Sequence, residues 1–180
     1  FSCMGYETAG ALGVKMAEPD KEVFVFVGDG GFLMSHSNLV TSLQEKKKMN
    51  ILLFNNNGHQ CIHNLQRSQG IDTFGTEFRY REDATGDLTG SYVPIDFVKV
   101  AEGYGAKSCR VRTVDELKAA IAWSRQEKQS TLIEISVLPG TMTDGYANFW
   151  RVGTASVAET ESVQAAAKRL ETIVKTIRKY

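Results

Sequence analysis

The stretch Val23 to Cys61, VFVFVGDGGFLMSHSNLVTSLQEKKKMNILLFNNNGHQC, decides how the rest of the chain is read. It opens on a run of β-branched and aromatic residues, Val23 to Val27, the pattern of a strand covered on both faces in a parallel sheet. Gly28-Asp29-Gly30-Gly31 follows. Ser35 to Lys47 then reads as a helix, with Ser35 or Ser37 as cap and Leu39, Val40 and Leu43 as its apolar stripe. Ile51 to Phe54 is a second buried strand, and Asn55-Asn56-Asn57-Gly58 closes the unit. Strand, helix and strand over about thirty residues make a βαβ crossover, almost always right-handed.

Ligands of open α/β sheets bind beyond the carboxyl ends of the strands. Both polar runs would lie there, side by side. Glycines permit positive φ and can turn N–H groups toward an anion. Asp29 among them would repel a phosphate unless a cation stood between. Mg²⁺ suits that role, because it is held by one or two side chains together with substrate phosphates. Asn56 and the Gly58 carbonyl would complete such a set without adding charge.

Working outward, residues 5–18 read as a helix with a small-residue face of Ala9, Gly10, Ala11 and Gly13. Two helical glycines, each costing about 1 kcal/mol relative to Ala, imply either crowded helix packing or the approach of another backbone or ligand. Regular signals fade from Gly58 to Tyr92, a length of loop that is usually functional or ordered by a partner. Beyond it come a short helix from Ile95 to Glu102, a strand from Ala106 to Val111, and a helix opened by the capping box Thr113-Val-Asp-Glu116. A strand from Thr131 to Leu138, an irregular stretch with Tyr146, Phe149 and Trp150, and a helix from about Ser162 to Lys179 complete the chain. The alternation implies an α/β fold with an open, mostly parallel sheet and helices on both faces.

Composition narrows the function classes. The 180 residues suit one domain, and the formal net charge is zero, so neither nucleic acid nor an anionic membrane is the expected partner. Lys46-Lys47-Lys48 reads as the cationic end of a helix. Three scattered cysteines, Cys3, Cys61 and Cys109, without a CxxC pattern fit a reducing cytoplasm. No apolar run approaches the ~18 residues of a membrane span. The chain opens on Phe1-Ser2-Cys3-Met4-Gly5 as if inside a structured region, so a fragment of a longer multidomain polypeptide is expected. Neither a GxGxxG nor a GxxxxGK[ST] run follows any strand, which weighs against a nucleotide-binding module.

Gly28-Asp29-Gly30, twenty-four further residues, and then Asn55-Asn56 resemble the signature of thiamine-diphosphate-dependent enzymes, in their acetohydroxyacid-synthase-like branch. The resemblance implies that Asp29, Asn56 and the Gly58 carbonyl hold the Mg²⁺ of thiamine diphosphate. Met4 stands where a large apolar side chain props the cofactor in its bent form, and the Ser2 carbonyl stands where the aminopyrimidine amine is bonded. Gly28, Gly30 and Gly31 complete the cofactor set, Gly31 in place of the more usual Ser or Ala. Gln60 and Cys61 can offer backbone N–H groups to the diphosphate. His59 and His63 either face the cofactor, move protons during the reaction, or occupy solvent-exposed or helix-start positions; His36 reads as structural. Arg79 and Arg81 fit a surface or subunit contact better than a substrate contact.

Four stretches, FSCMGYETAGALGVKMAEPD, GDGGFLM, FGTEFRYR and VLPGTMTDGY, resemble members of this family that open a cyclic 1,2-dione by hydrolysis in inositol breakdown. The resemblance therefore implies a small-molecule cyclic dione as substrate, with acetohydroxyacid synthase or 2-oxoacid decarboxylase as the alternative reaction. The family's activating glutamate resides on a pyrimidine-binding domain, normally of the neighbouring subunit, and no segment here resembles that domain. Half an active site is expected, completed in a homodimer or homotetramer.

Overall fold

The computed structural model describes residues 3–141, 153–155 and 157–177. The chain divides into two compact units, one of Phe1–His59 with Val93–Pro139 and one of Gln60–Tyr92 with Gly140–Tyr180.

The first unit carries a four-stranded sheet, all parallel, in the order β1-β2-β4-β3. Its strands are β1 (Phe24–Gly28), β2 (Asn50–Asn55), β3 (Lys107–Val111) and β4 (Thr131–Ser136). One face packs under α1 (Tyr6–Ala17), α2 (Asp29–Ser35), α3 (Asn38–Gln44) and α5 (Phe97–Gly103), around Leu12, Val25, Phe32, Leu39, Leu53 and Phe97. The opposite face is covered at β3 and β4 by α6 (Val114–Gln126), through Ala120, Leu117, Ile121 and Trp123 against Val111 and Ile133. Thr113 and Glu116 form the expected capping box at the start of α6. The α/β architecture with helices on both faces is thus observed.

Among the described strands β1 lies at one edge, with Phe26 64% exposed and stacked on Phe54, ring centroids 6.2 Å apart. Two expectations change. The single helix expected from Ser35 is two, α2 and α3, broken at His36 and Ser37. The basic run lies just past the end of α3 rather than in its last turn: Lys46 adopts φ 51°, the Lys46 and Lys47 N–H groups bond the Leu43 and Ser42 carbonyls, and the Lys48 ammonium donates to the Ser124 and Arg125 carbonyls at 2.7 and 3.2 Å. Lys48 therefore caps the last turn of α6, whose carbonyls lack helical partners. Burial pulls its pKa down, with Glu22 and Glu127 acting in opposition.

In α1, a side chain at Gly10 would meet the ring of Tyr6 on the same helix, and one at Gly13 would meet no atom of this chain within 4 Å.

The second unit contains α4 (Gln60–Ser68) and α7 (Glu161–Thr176). The final helix was expected, whereas α4 lies in the stretch read as irregular. Its stop was visible in the sequence: Gly70 follows the helix at φ 83°, and its Cα lies so close to the Ser162 backbone that a side chain would fall 2.5 Å from that carbonyl carbon. Tyr146, Phe149 and Trp150 lie outside the described residues.

Candidate metal and cofactor site

Register places the two polar runs together. Gly28 pairs with Phe54, so the residues after each lie beyond the same end of the sheet. Gly28-Asp29-Gly30-Gly31 is not a loop of positive φ. Gly28 is extended at φ −76°, ψ 159°, and α2 begins at Asp29 itself. The positive φ angles belong to the second run, Asn57 at 61° and Gly58 at 151°. The first run supplies a helix start and the second supplies the reversed turn.

Asp29 is fully buried. Its Oδ1 accepts from the Gly30 N–H at 2.7 Å, and its Oδ2 accepts from the N–H groups of Asn56 at 3.1 Å and Gly58 at 3.0 Å. Burial pushes its carboxyl above the ordinary aspartate range, and the backbone N–H groups of Gly30, Gly58, Asn57 and Asn56 only partly pull it back. A buried carboxylate that needs more positive charge than N–H dipoles supply is poised to take a cation.

One terminal atom of the Asn56 amide lies 2.8 Å from the Gly58 carbonyl oxygen and 3.1 Å from Asp29 Oδ1. As nitrogen it donates to both. As oxygen it gives three neighbouring oxygens whose mutual repulsion a cation would relieve. Octahedral Mg²⁺, with bonds of about 2.1 Å, sets adjacent ligand oxygens about 2.9 Å apart. The two observed separations bracket that value, so the donor set fits the ion. It is a one-carboxylate set, in keeping with the finding that, among the described residues, no three His, Cys, Asp or Glu side chains gather as a metal cluster.

His59 follows the turn, and its imidazole lies against Gly30. A Cβ on Gly30 would stand 2.6 Å from His59 Cε1 and 2.9 Å from Cγ. Gly31 is roomier: a Cβ there would meet Val27 Cγ2 at 3.2 Å and the Glu7 carboxylate oxygens at 3.6 Å. The segment before α1 docks on α2, where the Ser35 hydroxyl donates to the Gly5 carbonyl at 2.7 Å. Met4 there is 38% exposed, and Ser2 lies outside the described residues.

The remaining candidates are distributed as follows. Gln60 and Cys61 start α4 in the second unit. The Gln60 side chain is committed there, donating to Glu77 at 3.1 Å and accepting from the Gly140 N–H at 3.0 Å, while Cys61 is exposed. His63 is buried, its Nδ1 3.3 Å from the Thr76 hydroxyl, as a structural residue would be. His36 stacks on Tyr104, whose hydroxyl lies 2.6 Å from Nδ1. Arg79 lies over the Tyr92 ring at 3.9 Å and pairs with Glu77 at 2.9 Å, and Arg81 bonds the Gly86 carbonyl. A cleft of about 370 Å³ lined by Ser42, Lys46, Tyr104, Gly105 and Ser130 opens where β2, β3 and β4 begin, at the end of the sheet away from Asp29.

Sequence reading missed one participant, Glu134. It is 2% exposed in the middle of β4 and accepts from the Asn55 amide at 2.8 Å. A lone carboxylate in the otherwise apolar run Thr131-Leu-Ile-Glu-Ile was the available signal, since buried charge persists only when paired.

Comparison with known proteins then decides the class. The family described as "Thiamine pyrophosphate enzyme, C-terminal TPP binding domain" matches residues 1–135. The chain belongs to this family. Thiamine pyrophosphate enzymes use thiamine diphosphate with a metal ion, usually Mg²⁺. The chain is 57% identical over all its 180 residues to "3D-(3,5/4)-trihydroxycyclohexane-1,2-dione hydrolase" of Geobacillus thermodenitrificans (strain NG80-2), covering 28% of that protein. It is 54% identical, with the same coverage of both chains, to the protein of the same name from Clostridium botulinum (strain Alaska E43 / Type E3). This TPP-binding domain thus spans under a third of the length of the curated relatives it matches. Among solved structures, it resembles the Rhodococcus jostii RHA1 thiamine diphosphate-dependent 4-hydroxybenzoylformate decarboxylase, with TM-score 0.60 and 26% identity over 77% of this chain and 24% of that one.

Proposed function

We propose that this chain is the C-terminal cofactor-binding domain of a longer enzyme of myo-inositol catabolism. That enzyme hydrolytically opens 3D-trihydroxycyclohexane-1,2-dione to 5-deoxy-glucuronic acid. The supporting observation is identity of 57% with a hydrolase of that name, sustained over the whole chain rather than over residues 28–58 alone.

In this reading the Asp29 carboxylate, the Asn56 amide oxygen and the Gly58 carbonyl would hold Mg²⁺, which would offset the charge of the diphosphate. The backbone of Gly28, Gly30 and Gly31, at the start of α2, would admit the diphosphate. Gln60 and Cys61 would offer it backbone N–H groups, and His59 would face the cofactor. Met4 would prop the cofactor, and Ser2, outside the described residues, would offer its carbonyl to the amine. Thiamine diphosphate, when bound, supplies the electron sink that C–C cleavage needs. The chain's own work is to hold charge, orient the cofactor and keep water ordered around the metal.

The activating glutamate is assigned to a pyrimidine-binding domain of a neighbouring subunit, so the working unit is a homodimer or homotetramer. A cytoplasmic location is supported by the three free cysteines. It is also consistent with the described residues containing no helix long and apolar enough to cross a membrane.

Steady-state assays of the full-length protein test the assignment. Opening of the cyclic dione without consumption of pyruvate is expected. Pyruvate consumption without ring opening would instead establish acetohydroxyacid synthase or a decarboxylase, a second reading that the Rhodococcus jostii likeness favours.

A further inference from the structure

We propose that Glu134 and Asn55 are positioning residues that set the metal-binding turn. The proposal rests on the metal assignment above.

Glu134 lies level with Leu53 of β2 and Arg110 of β3, between two neighbouring strands. Its side chain is 2% exposed, and both of its oxygens are used. Oε2 accepts from Arg110 Nε at 2.9 Å, and the second Arg110 nitrogen lies 2.8 Å away. Oε1 accepts from Asn55 Nδ2 at 2.8 Å. Arg110 is in turn held from the surface side by Asp96 at 3.1 Å.

Asn55 passes this order on. A carboxylate only accepts hydrogen bonds, so it admits the NH₂ end of the Asn55 amide and turns the oxygen end the other way. That oxygen accepts from the Asn57 N–H at 3.2 Å. Asn57 holds a left-handed φ of 61°, a conformation that asparagine adopts more readily than most residues. The Asn55 side chain favours it locally through an Asx-type turn. The same turn presents Asn56 and the Gly58 carbonyl, and it sends the N–H groups of Asn56 and Gly58 to Asp29. Four residues therefore connect the surface to the metal turn without touching the metal: Asp96, Arg110, Glu134 and Asn55.

The polarity of the relay gives it a signature. In Glu134→Gln the new amide keeps its oxygen toward Arg110 and turns its NH₂ to Asn55. Asn55 must then flip its own amide, which sets an NH₂ against the Asn57 N–H. Size is unchanged, but the negative charge facing Arg110 is lost and the direction of the hydrogen bond to Asn55 is reversed. Adding Asn55→Asp to that variant restores an acceptor toward both the new NH₂ group and the Asn57 N–H.

The experiment uses the full-length protein in its native oligomer and measures Mn²⁺ affinity by electron paramagnetic resonance with thiamine diphosphate present. Glu134→Gln is expected to weaken Mn²⁺ binding by about 10–100-fold, the usual effect of removing an outer-shell partner. The Mg²⁺ concentration for half-activation should rise in parallel, with a smaller fall in kcat at saturation. Asn55→Asp with Glu134→Gln should recover most of the affinity. Unchanged Mn²⁺ affinity in folded Glu134→Gln, or loss without recovery in the double variant, would overturn the relay. Should Glu134→Gln not fold, Asn55→Ala, which leaves the Glu134–Arg110 pair intact, must show the same loss, and normal affinity there would overturn it equally. The Asp29→Asn variant provides the reference: if it also binds Mn²⁺ normally, the metal assignment itself has failed.

Discussion

The imidazole of His59 fills the space where a side chain on Gly30 would stand, with its Cε1 2.6 Å from the position of the missing Cβ. Gly30 donates its N–H to Asp29 Oδ1, and His59 follows Gly58, which donates to Oδ2. The second glycine of the motif is therefore required by packing, independently of any phosphate.

This relationship separates two neighbouring substitutions. Gly30→Ala must displace the His59 ring, an overpacking effect of about 1–3 kcal/mol, and should weaken cofactor binding. Gly31→Ala requires only a few tenths of an ångström from Val27 Cγ2, and its helical position should yield a stability change within about 1 kcal/mol. Adding His59→Ala should relieve Gly30→Ala but leave Gly31→Ala unaffected. Calorimetric titration of thiamine diphosphate into the full-length variants, beside thermal unfolding, reads both effects. Equal behaviour of the two alanines would refute the packing argument.

Asp29→Asn keeps the volume of the side chain and removes its charge. The metal loses its only carboxylate in the proposed donor set, so Mn²⁺ affinity should fall by about 100-fold or more, a loss of about 2.8 kcal/mol. Adding more Mg²⁺ should partly restore activity, whereas adding more substrate should not. Titration of Mn²⁺ with and without thiamine diphosphate makes the check.

Arg110→Met should destabilise the first unit. It leaves Glu134, 2% exposed, without its cation, and stripping one member of a buried pair costs about 3–5 kcal/mol. Arg110 is itself 38% exposed, so water replaces part of its contribution and the lower end of that range is expected. Denaturant unfolding measures it, and a change below about 1 kcal/mol would show that the pair is merely superficial.

In the second unit, Glu77 gives a pH dependence. Burial works against its ionisation, but hydrogen bonds from Arg79, Tyr92 and Gln60 prevail and hold its carboxyl below the ordinary glutamate range. A depressed carboxyl contributes stability that is present above its unfolded pKa and lost as pH falls through its folded pKa. The Arg79–Tyr92 arrangement should therefore hold through mildly acidic pH and loosen only below the ordinary glutamate value. Tyr92→Phe removes the 2.8 Å hydrogen bond to Glu77, should cost about 1.5 kcal/mol, and should raise the pH of that loosening. Ring resonances of residue 92, Tyr in the parent and Phe in the variant, followed through an acid titration provide the measurement, and loosening of the parent near neutral pH would contradict it.

Much of the site was legible because its chemistry is local. Gly28-Asp29-Gly30 and Asn55 to Gly58 are contiguous runs, each at the end of a strand whose apolar residues mark it. Strand pairing then brings them together with little left to choose. The capping box Thr113–Glu116 was legible for the same reason, since its partners lie three residues apart. The helix α4 was not, because Gln60 to Ser68 spans only nine residues with two large aliphatic side chains, Ile62 and Leu65, in a stretch otherwise rich in Gly, Asp, Thr and Arg.

By itself, then, the sequence determined the strands, the two polar runs at their ends, and the identity of the oxygens available to a metal. Tertiary structure alone decided two further matters. It committed the Gln60 side chain to Glu77 and Gly140, residues too distant in sequence for any local pattern to connect. It also set Glu134 beneath Asn55, seventy-nine residues away, through the register of β2 on β4. Residue types and spacing state which groups are available for hydrogen bonding. Which acceptor a buried amide meets follows only from the alignment of strands that the chain brings together from afar.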